Sequence, residues 1–232
     1  MVLYIPELEQ RSVRHFFTTR RFNASDATPF GSKDMFVKTK QVHGDDIHII
    51  DKPVERVADI VRNAAEIQCD AIITNQRHIG IGVVTADCVP VLIYDPVQSV
   101  IASVHAGWKG TIKGILSKVI CRMAYKFGCH VEDIIVGMGP AIGACCYAVG
   151  EIVSEPLKST NPEWGRYLKP DGNGKVKLDL AALNIRQIED VGVLTRNIFN
   201  MGLCTYCNKE LFFSYRRDGV GTGRMLSGII MN

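Results

Sequence analysis

The apolar positions of this chain gather in short, nearly unbroken runs set off by glycine or proline. Runs at 71–74, 81–86, 91–94, 101–105, 134–138 and 211–215 predict β-strands. After Gly110 the period changes. Ile112, Ile115, Leu116, Val119, Ile120, Met123, Ala124 and Phe127 recur on one face of a 3.6-residue period, which predicts a helix that stops at Gly128. Two more helices are predicted at 147–158 and 180–191. The most polar stretch, 160–177, contains Pro162, Pro170, Gly172 and Gly174 and reads as a surface excursion or a small hairpin. No repeat or linker interrupts the pattern. Residues 1–232 therefore read as a single α/β domain, with paired central strands and helices outside.

One pair of runs has a consequence for chemistry. Segments 89–95 and 99–105 flank the short turn at Asp95–Pro96, which predicts an antiparallel hairpin. Cys88 precedes the first strand and His105 ends the second. Such a hairpin returns both residues to the same sheet edge. His43 lies 45 residues before Cys88 and must arrive from elsewhere.

Composition adds bounds. The chain has 232 residues, 47% hydrophobic and 22% charged, enough for a substantial core. The net charge of +3 comes without a polybasic run, so nucleic-acid binding is not indicated. MVLYIPELEQ lacks the layout of a signal peptide, and no apolar run reaches membrane-spanning length. The expectation is a cytoplasmic protein with no membrane partner, monomeric because nothing resembles a coiled coil. In that compartment the eight cysteines are expected as thiols or ligands.

Several chemistries fit the residues. His43, Cys88 and His105 could hold zinc with an open fourth position, as in catalytic sites. Cys88 and His105 could act without metal as nucleophile and base. Two imidazoles and a thiolate also suit copper, although six histidines in all are too few for a multicopper oxidase. HAGWKGT (105–111) and GPAIGACC (139–146) each read as a strand, a glycine-rich turn and a helix. This arrangement is either an anion site, with Gly107 and Lys109 in the first, or an ordinary tight turn. Neither is a P-loop. Asp87 is a candidate to orient a ligand histidine, to shuttle a proton or to cap a turn. Arg20, Arg216, Arg217 and Arg224 stand beside turns, where their planar forks suit phosphate or carboxylate. Cys204 and Cys207 form a CxxC with no second pair well placed in the sequence.

Together the segments FFTTR (16–20), KQVHGD (40–45), CDAIIT (69–74), GVVTADCVPVLIYD (82–95), ASVHAGWKGT (102–111), GMGPAIGACCYAVG (137–150), LDL (178–180) and LFFSYRRDGVGTGR (211–224) resemble the YfiH-like family, also called the polyphenol-oxidase or laccase-domain family. The resemblance implies two facing mixed β-sheets with outer helices. It implies zinc held by His43, Cys88 and His105 in a surface pocket, and Arg20 as a phosphate contact. It also implies purine nucleosides and phosphate as substrates. The reactions are phosphorolysis of adenosine, inosine, guanosine or methylthioadenosine, and deamination of adenosine. A cysteine amidase acting in peptidoglycan precursor editing, a binding module and a copper oxidase stand as alternatives. The chain departs from the family pattern at Arg21–Asn23, where a glycine pair and serine are usual. It departs again at Lys109, where arginine is usual, and at Ala148, where glutamate is usual.

Overall fold

Runs of β-branched and aliphatic residues become strands because both of their faces are buried. In the computed structural model, which describes residues 1–9, 12–22, 36–53, 57–172 and 175–232, the strands in chain order are β1 (Val2–Leu3), β2 (Val13–Thr18), β3 (Phe36–Val37), β4 (Ile47–Ile50), β5 (Ala71–Thr74), β6 (Gly80–Thr85), β7 (Val89–Asp95), β8 (Val100–Ala106), β9 (Ile135–Met138), β10 (Ala148–Val149), β11 (Leu168–Pro170), β12 (Val176–Leu178), β13 (Ile198–Asn200) and β14 (Met225–Met231). The helices are α1 (Val57–Ala64), α2 (Trp108–Ile112), α3 (Ile115–Phe127), α4 (Glu151–Thr160), α5 (Leu180–Asp190) and α6 (Tyr215–Asp218). Asn23 and Gly174 lie outside the described residues.

Two mixed sheets face each other. One has the order β1-β2-β14-β6-β3 and the other β13-β9-β7-β8-β5-β4. Side-chain parity divides the second sheet cleanly. Leu92, Tyr94, Ile72 and Ile101 point inward against Phe17, Ile81 and Ile229 of the first sheet. Val91, Ile93, Ala71, Ala102 and Val104 point outward and are covered by Ile115, Leu116, Val119, Ile120 and Met123 of α3 and by Leu183 and Ile188 of α5. Each fully buried Val, Leu, Ile or Met side chain among them contributes about 1.5–3 kcal/mol. No helix among the described residues is long and apolar enough to cross a membrane.

The predicted hairpin is present. β7 and β8 pair antiparallel with Pro90 opposite His105 and Val89 opposite Ala106. The polar stretch does form a small hairpin, β11–β12, with Pro170 opposite Val176. Three expectations are corrected. The helix after Gly110 is two helices, because Gly114 takes a left-handed φ of 74° between α2 and α3. The helix expected from Tyr147 begins at Glu151. Residues 148–149 instead pair with β12, and Gly150 caps the helix. Segment 211–215 is a turn leading into α6, not a strand. Its backbone groups are taken by other partners: the Leu211 carbonyl accepts from Arg20 N–H at 2.8 Å, and the Phe212 carbonyl accepts from Arg217 Nη2 at 2.9 Å.

Within the first sheet, Gly82 and Gly228 are register partners on β6 and β14. A Cβ at Gly228 would stand 2.1 Å from Phe36 Cζ, and one at Gly82 would stand 2.4 Å from Phe36 Cε1 and from the Ser227 carbonyl. The paired glycines make the slot in which the Phe36 ring lies. Gly228→Ala should therefore destabilise the chain by about 1–3 kcal/mol, read as a lowered urea midpoint with an unchanged slope. An unaltered midpoint would contradict this packing.

Candidate metal centre

The hairpin delivers two of three converging side chains. Cys88 sits in the tight turn before β7, and His105 is the penultimate residue of β8. The third, His43, arrives on a loop tied down at several points. Lys40 bridges Gln68, the Thr39 hydroxyl donates to the Cys69 carbonyl at 2.9 Å, and the Gln41 amide exchanges two 2.8 Å hydrogen bonds with the backbone of Val84. The ligand atoms of His43, Cys88 and His105 then lie within 4.8 Å of one another. His43 is exposed, Cys88 half-buried and His105 buried. The two imidazole rings meet edge-on with centroids 4.8 Å apart.

Asp70, at the start of β5, organises this cluster. Its carboxylate is fully buried. It accepts the backbone N–H groups of Val42 at 3.1 Å, His43 at 3.0 Å and Gly44 at 2.8 Å. Three successive amides wrapped on one carboxylate form an anion nest. They hold His43 at a φ of 59°, a conformation rare for a residue with a Cβ. Asp70 Oδ1 also lies 2.6 Å from His105 Nδ1. The proton therefore belongs on Nδ1, and Nε2 is free to face Cys88. A carboxylate–histidine pair behind a ligand set is the usual support of a metal-binding imidazole.

The electrostatics follow from this geometry. Burial alone would raise the Cys88 thiol, but hydrogen bonds and charge from His105 and His43 bring it down to about 6. Burial alone would lower His105, but Asp70 and Cys88 lift it to about 9. Without a metal, Cys88 and His105 are thus thiolate and imidazolium near neutral pH.

Gly107 closes one side of the cluster. A Cβ there would lie 3.1 Å from Cys88 Sγ and 3.2 Å from His43 Cδ2. Gly110 lets α2 approach the His43 loop, since its Cβ would be 2.7 Å from the Gly44 carbonyl. The HAGWKGT segment is thus a tight strand-to-helix turn against the ligands. Lys109 on it is exposed, with its ammonium 5.6 Å from the Trp108 ring centroid. The GPAIGACC segment is followed by β10 rather than by a helix.

Asp87 does not orient a ligand histidine; Asp70 has that place. Asp87 takes a φ of 95° and accepts from the Thr205 hydroxyl at 2.6 Å, the Ser214 hydroxyl at 3.1 Å and the Arg216 N–H at 2.7 Å. It fastens the C-terminal segment beside Cys88. Arg217 spends its guanidinium on Asp218 and on the carbonyls of Thr205, Tyr206 and Phe212. Arg224 binds the nearby carbonyls of Thr222 and Gly223. Arg216 lies over the Tyr147 ring at 5.2 Å and bonds the Ala148 carbonyl. The Tyr147 phenol is pushed well above its ordinary range by burial, with the charge of Cys88 adding to the effect. Arg20 lies over Phe213 at 4.9 Å and donates to the Lys209 carbonyl at 2.7 Å. Asp70 and Tyr147 were not singled out from the sequence.

Comparison with known proteins places this arrangement. The sequence model of the family described as multi-copper polyphenol oxidoreductase laccase matches residues 14–232. The chain belongs to this family. A purine nucleoside phosphorylase of Clostridium acetobutylicum is 43% identical over 162 residues, covering 69% of this chain and 66% of that protein. An adenosine deaminase from an unknown prokaryotic organism is 34% identical over 198 residues, covering 84% of this chain and 75% of that one. The crystal structure of the hypothetical protein YfiH of Bacillus licheniformis superposes with a TM-score of 0.84 at 30% identity, covering 95% of this chain and 93% of that one. Matches to four curated purine nucleoside phosphorylases span about 55–66% of those proteins' length. The family's name notwithstanding, the metal-ligand groups among the described residues are His43–Cys88–His105 and a set of four cysteines; neither resembles a multicopper histidine array.

Replacing Asp70 by Asn removes the negative charge and turns one of its two acceptor oxygens into an NH2 donor while keeping the shape. Divalent-metal affinity, measured by chelator competition, should fall about 10- to 100-fold. Affinity equal to that of the parent protein would show that Asp70 does not support the ligand set.

Proposed function

We propose that the chain is a zinc-dependent purine nucleoside enzyme. It would cleave adenosine, inosine, guanosine or methylthioadenosine with phosphate and deaminate adenosine. The observation that carries this reading is the pair of imidazoles and the thiolate held within 4.8 Å by a buried carboxylate. The donor set fits a catalytic metal: two imidazoles and a thiolate, with His43 exposed on the solvent side, and a fixed histidine tautomer. The relatives named as phosphorylases and a deaminase point to the same substrates.

In this reading His43, Cys88 and His105 hold the zinc. When bound, it supplies a Lewis acid that lowers the pKa of water and stabilises developing negative charge. The chain's own groups do the rest. Asp70 keeps the His105 proton on Nδ1, so that Nε2 stays a ligand. Gly107, without a side chain, lets the strand-to-helix turn pack directly against Cys88 and His43. Cations on the surrounding segments, Arg20, Lys109 and Arg216, supply positive potential for phosphate, with Arg216 positioned by the Asp87 carboxylate on its backbone N–H. Asp87 acts here as a positioning residue, because both its oxygens are already engaged.

A second reading rests on the Cys88 thiolate itself. Its depressed pKa and its hydrogen bond with His105 also describe a nucleophile–base pair of an amidase. One experiment separates the two. Zinc-loaded protein is incubated with adenosine, with and without phosphate, and the products are resolved by chromatography. The nucleoside reading expects adenine only with phosphate and inosine without it, both abolished in Cys88→Ala. Absence of both products from fully loaded protein would overturn it. Amide hydrolysis by metal-free protein, blocked by alkylating Cys88, would establish the second.

A further inference from the structure

Four sulfurs converge on the other side of the Asp87 turn. Cys145 and Cys146 lie at the end of the glycine-rich turn after β9, and Cys204 and Cys207 on the segment after β13. All four sulfurs fall within 4.8 Å of one another. Cys146 and Cys207 are 3.3 Å apart, and Cys145 and Cys207 are 3.7 Å apart. We propose that Cys145, Cys146, Cys204 and Cys207 form a second metal site, a closed tetrathiolate that holds one zinc ion in a structural role. This site is independent of the nucleoside reading.

The geometry fits a single ion. Four thiolates at about 2.3 Å from one tetrahedral centre stand about 3.8 Å from each other. An iron–sulfur cluster attaches its thiolates to different irons and needs a wider ring. The sequence pattern hides the site, because the partner of the Cys204–Cys207 pair is an adjacent pair far upstream.

The backbone brings the two pairs together without help from the sulfurs. Ala141 bridges Cys204 in parallel, with the Ala141 N–H on the Leu203 carbonyl at 3.2 Å and the Thr205 N–H on the Ala141 carbonyl at 2.9 Å. The Gly143 N–H points at Cys204 Sγ at 3.3 Å. Gly143 packs tightly against the sulfurs: a Cβ there would stand 3.2 Å from Cys145 Sγ and 3.3 Å from Cys204 Cβ. A cavity of about 290 Å³, lined in part by Gly143, Cys145, Leu203 and Cys204, gives an ion a path to the sulfurs.

Charge also favours a cation here. Four thiols this close cannot all ionise unless a cation sits among them. Taking up one divalent ion releases four protons and leaves two net negative charges. The Arg217 guanidinium, bonded to the Thr205 and Tyr206 carbonyls between the two ligands of the CxxC, stands beside that charge. Thr205, also between those ligands, donates to Asp87 next to Cys88. The ion would thereby fix one wall of the first site.

The test uses the full chain, purified under reducing conditions, with metal measured by mass spectrometry. The parent should carry about two zinc ions per chain. His43→Ala/Cys88→Ala, which leaves the four cysteines untouched, should keep about one. Cobalt(II) loaded into that variant should show the strong sulfur-to-metal charge-transfer absorption of a tetrathiolate. Cys204→Ser/Cys207→Ser should lose that ion and keep the other. A metal-free His43→Ala/Cys88→Ala protein would overturn the proposal, whether its four thiols react freely or a Cys146–Cys207 disulfide is found. Cobalt spectra of mixed nitrogen and oxygen ligation would overturn it as well.

Discussion

One buried carboxylate holds this fold and its site in register. Asp70 is fully removed from water, and a charge in that position costs several kcal/mol unless every lone pair finds a donor. The chain supplies four: the amides of residues 42–44 and the Nδ1–H of His105. Because those donors come from two distant stretches, neutralising one charge fixes the His43 loop, the start of β5 and the end of β8 relative to one another. The unusual backbone of His43 is a consequence. Its left-handed φ is the conformation that lets three consecutive amides point at one anion.

A second carboxylate does comparable work on the other flank. Asp87 gathers Thr205, Ser214 and Arg216, and Arg217 binds three carbonyls of the same segment. Cys88 lies next to Asp87 in the chain, so its sulfur is placed from both sides. The hairpin fixes its distance to His105, and the C-terminal segment fixes the turn that carries it. Glycines set how closely these parts approach: Gly107 against the ligands, Gly110 against the His43 loop and Gly143 against the four cysteines.

How much of this was legible in the sequence depends on whether the signal was local. The β7–β8 hairpin was, because two uninterrupted apolar runs flank an Asp-Pro turn. The three-residue ligand set could be named only as a candidate, because nothing in the spacing shows that His43, 45 residues before Cys88, reaches the hairpin end. Asp70 gave no signal, since a single aspartate before an apolar run looks like any strand entry. β14 is buried along its whole length and central to its sheet, yet Ser227 and Gly228 break its apolar run. Segment 211–215 misled in the opposite way, with a strand-like composition whose backbone bonds went to arginines and turns. Gly114 sat inside an otherwise continuous helical period, and only its left-handed φ ended the helix there. The four-cysteine cluster depends on a contact between Ala141 and Cys204, which no spacing rule encodes.

Asp70 sets the protonation of His105 and so determines which nitrogen faces Cys88. Long-range ¹H–¹⁵N correlation spectra of the labelled protein test it directly. The account predicts a His105 Nδ1 proton strongly shifted downfield by the short bond to Asp70, in the metal-free imidazolium as in the metal-bound ring, and its disappearance as a distinct signal in Asp70→Asn. A His105 ring protonated at Nε2 alone, or a spectrum unchanged by the substitution, would contradict it.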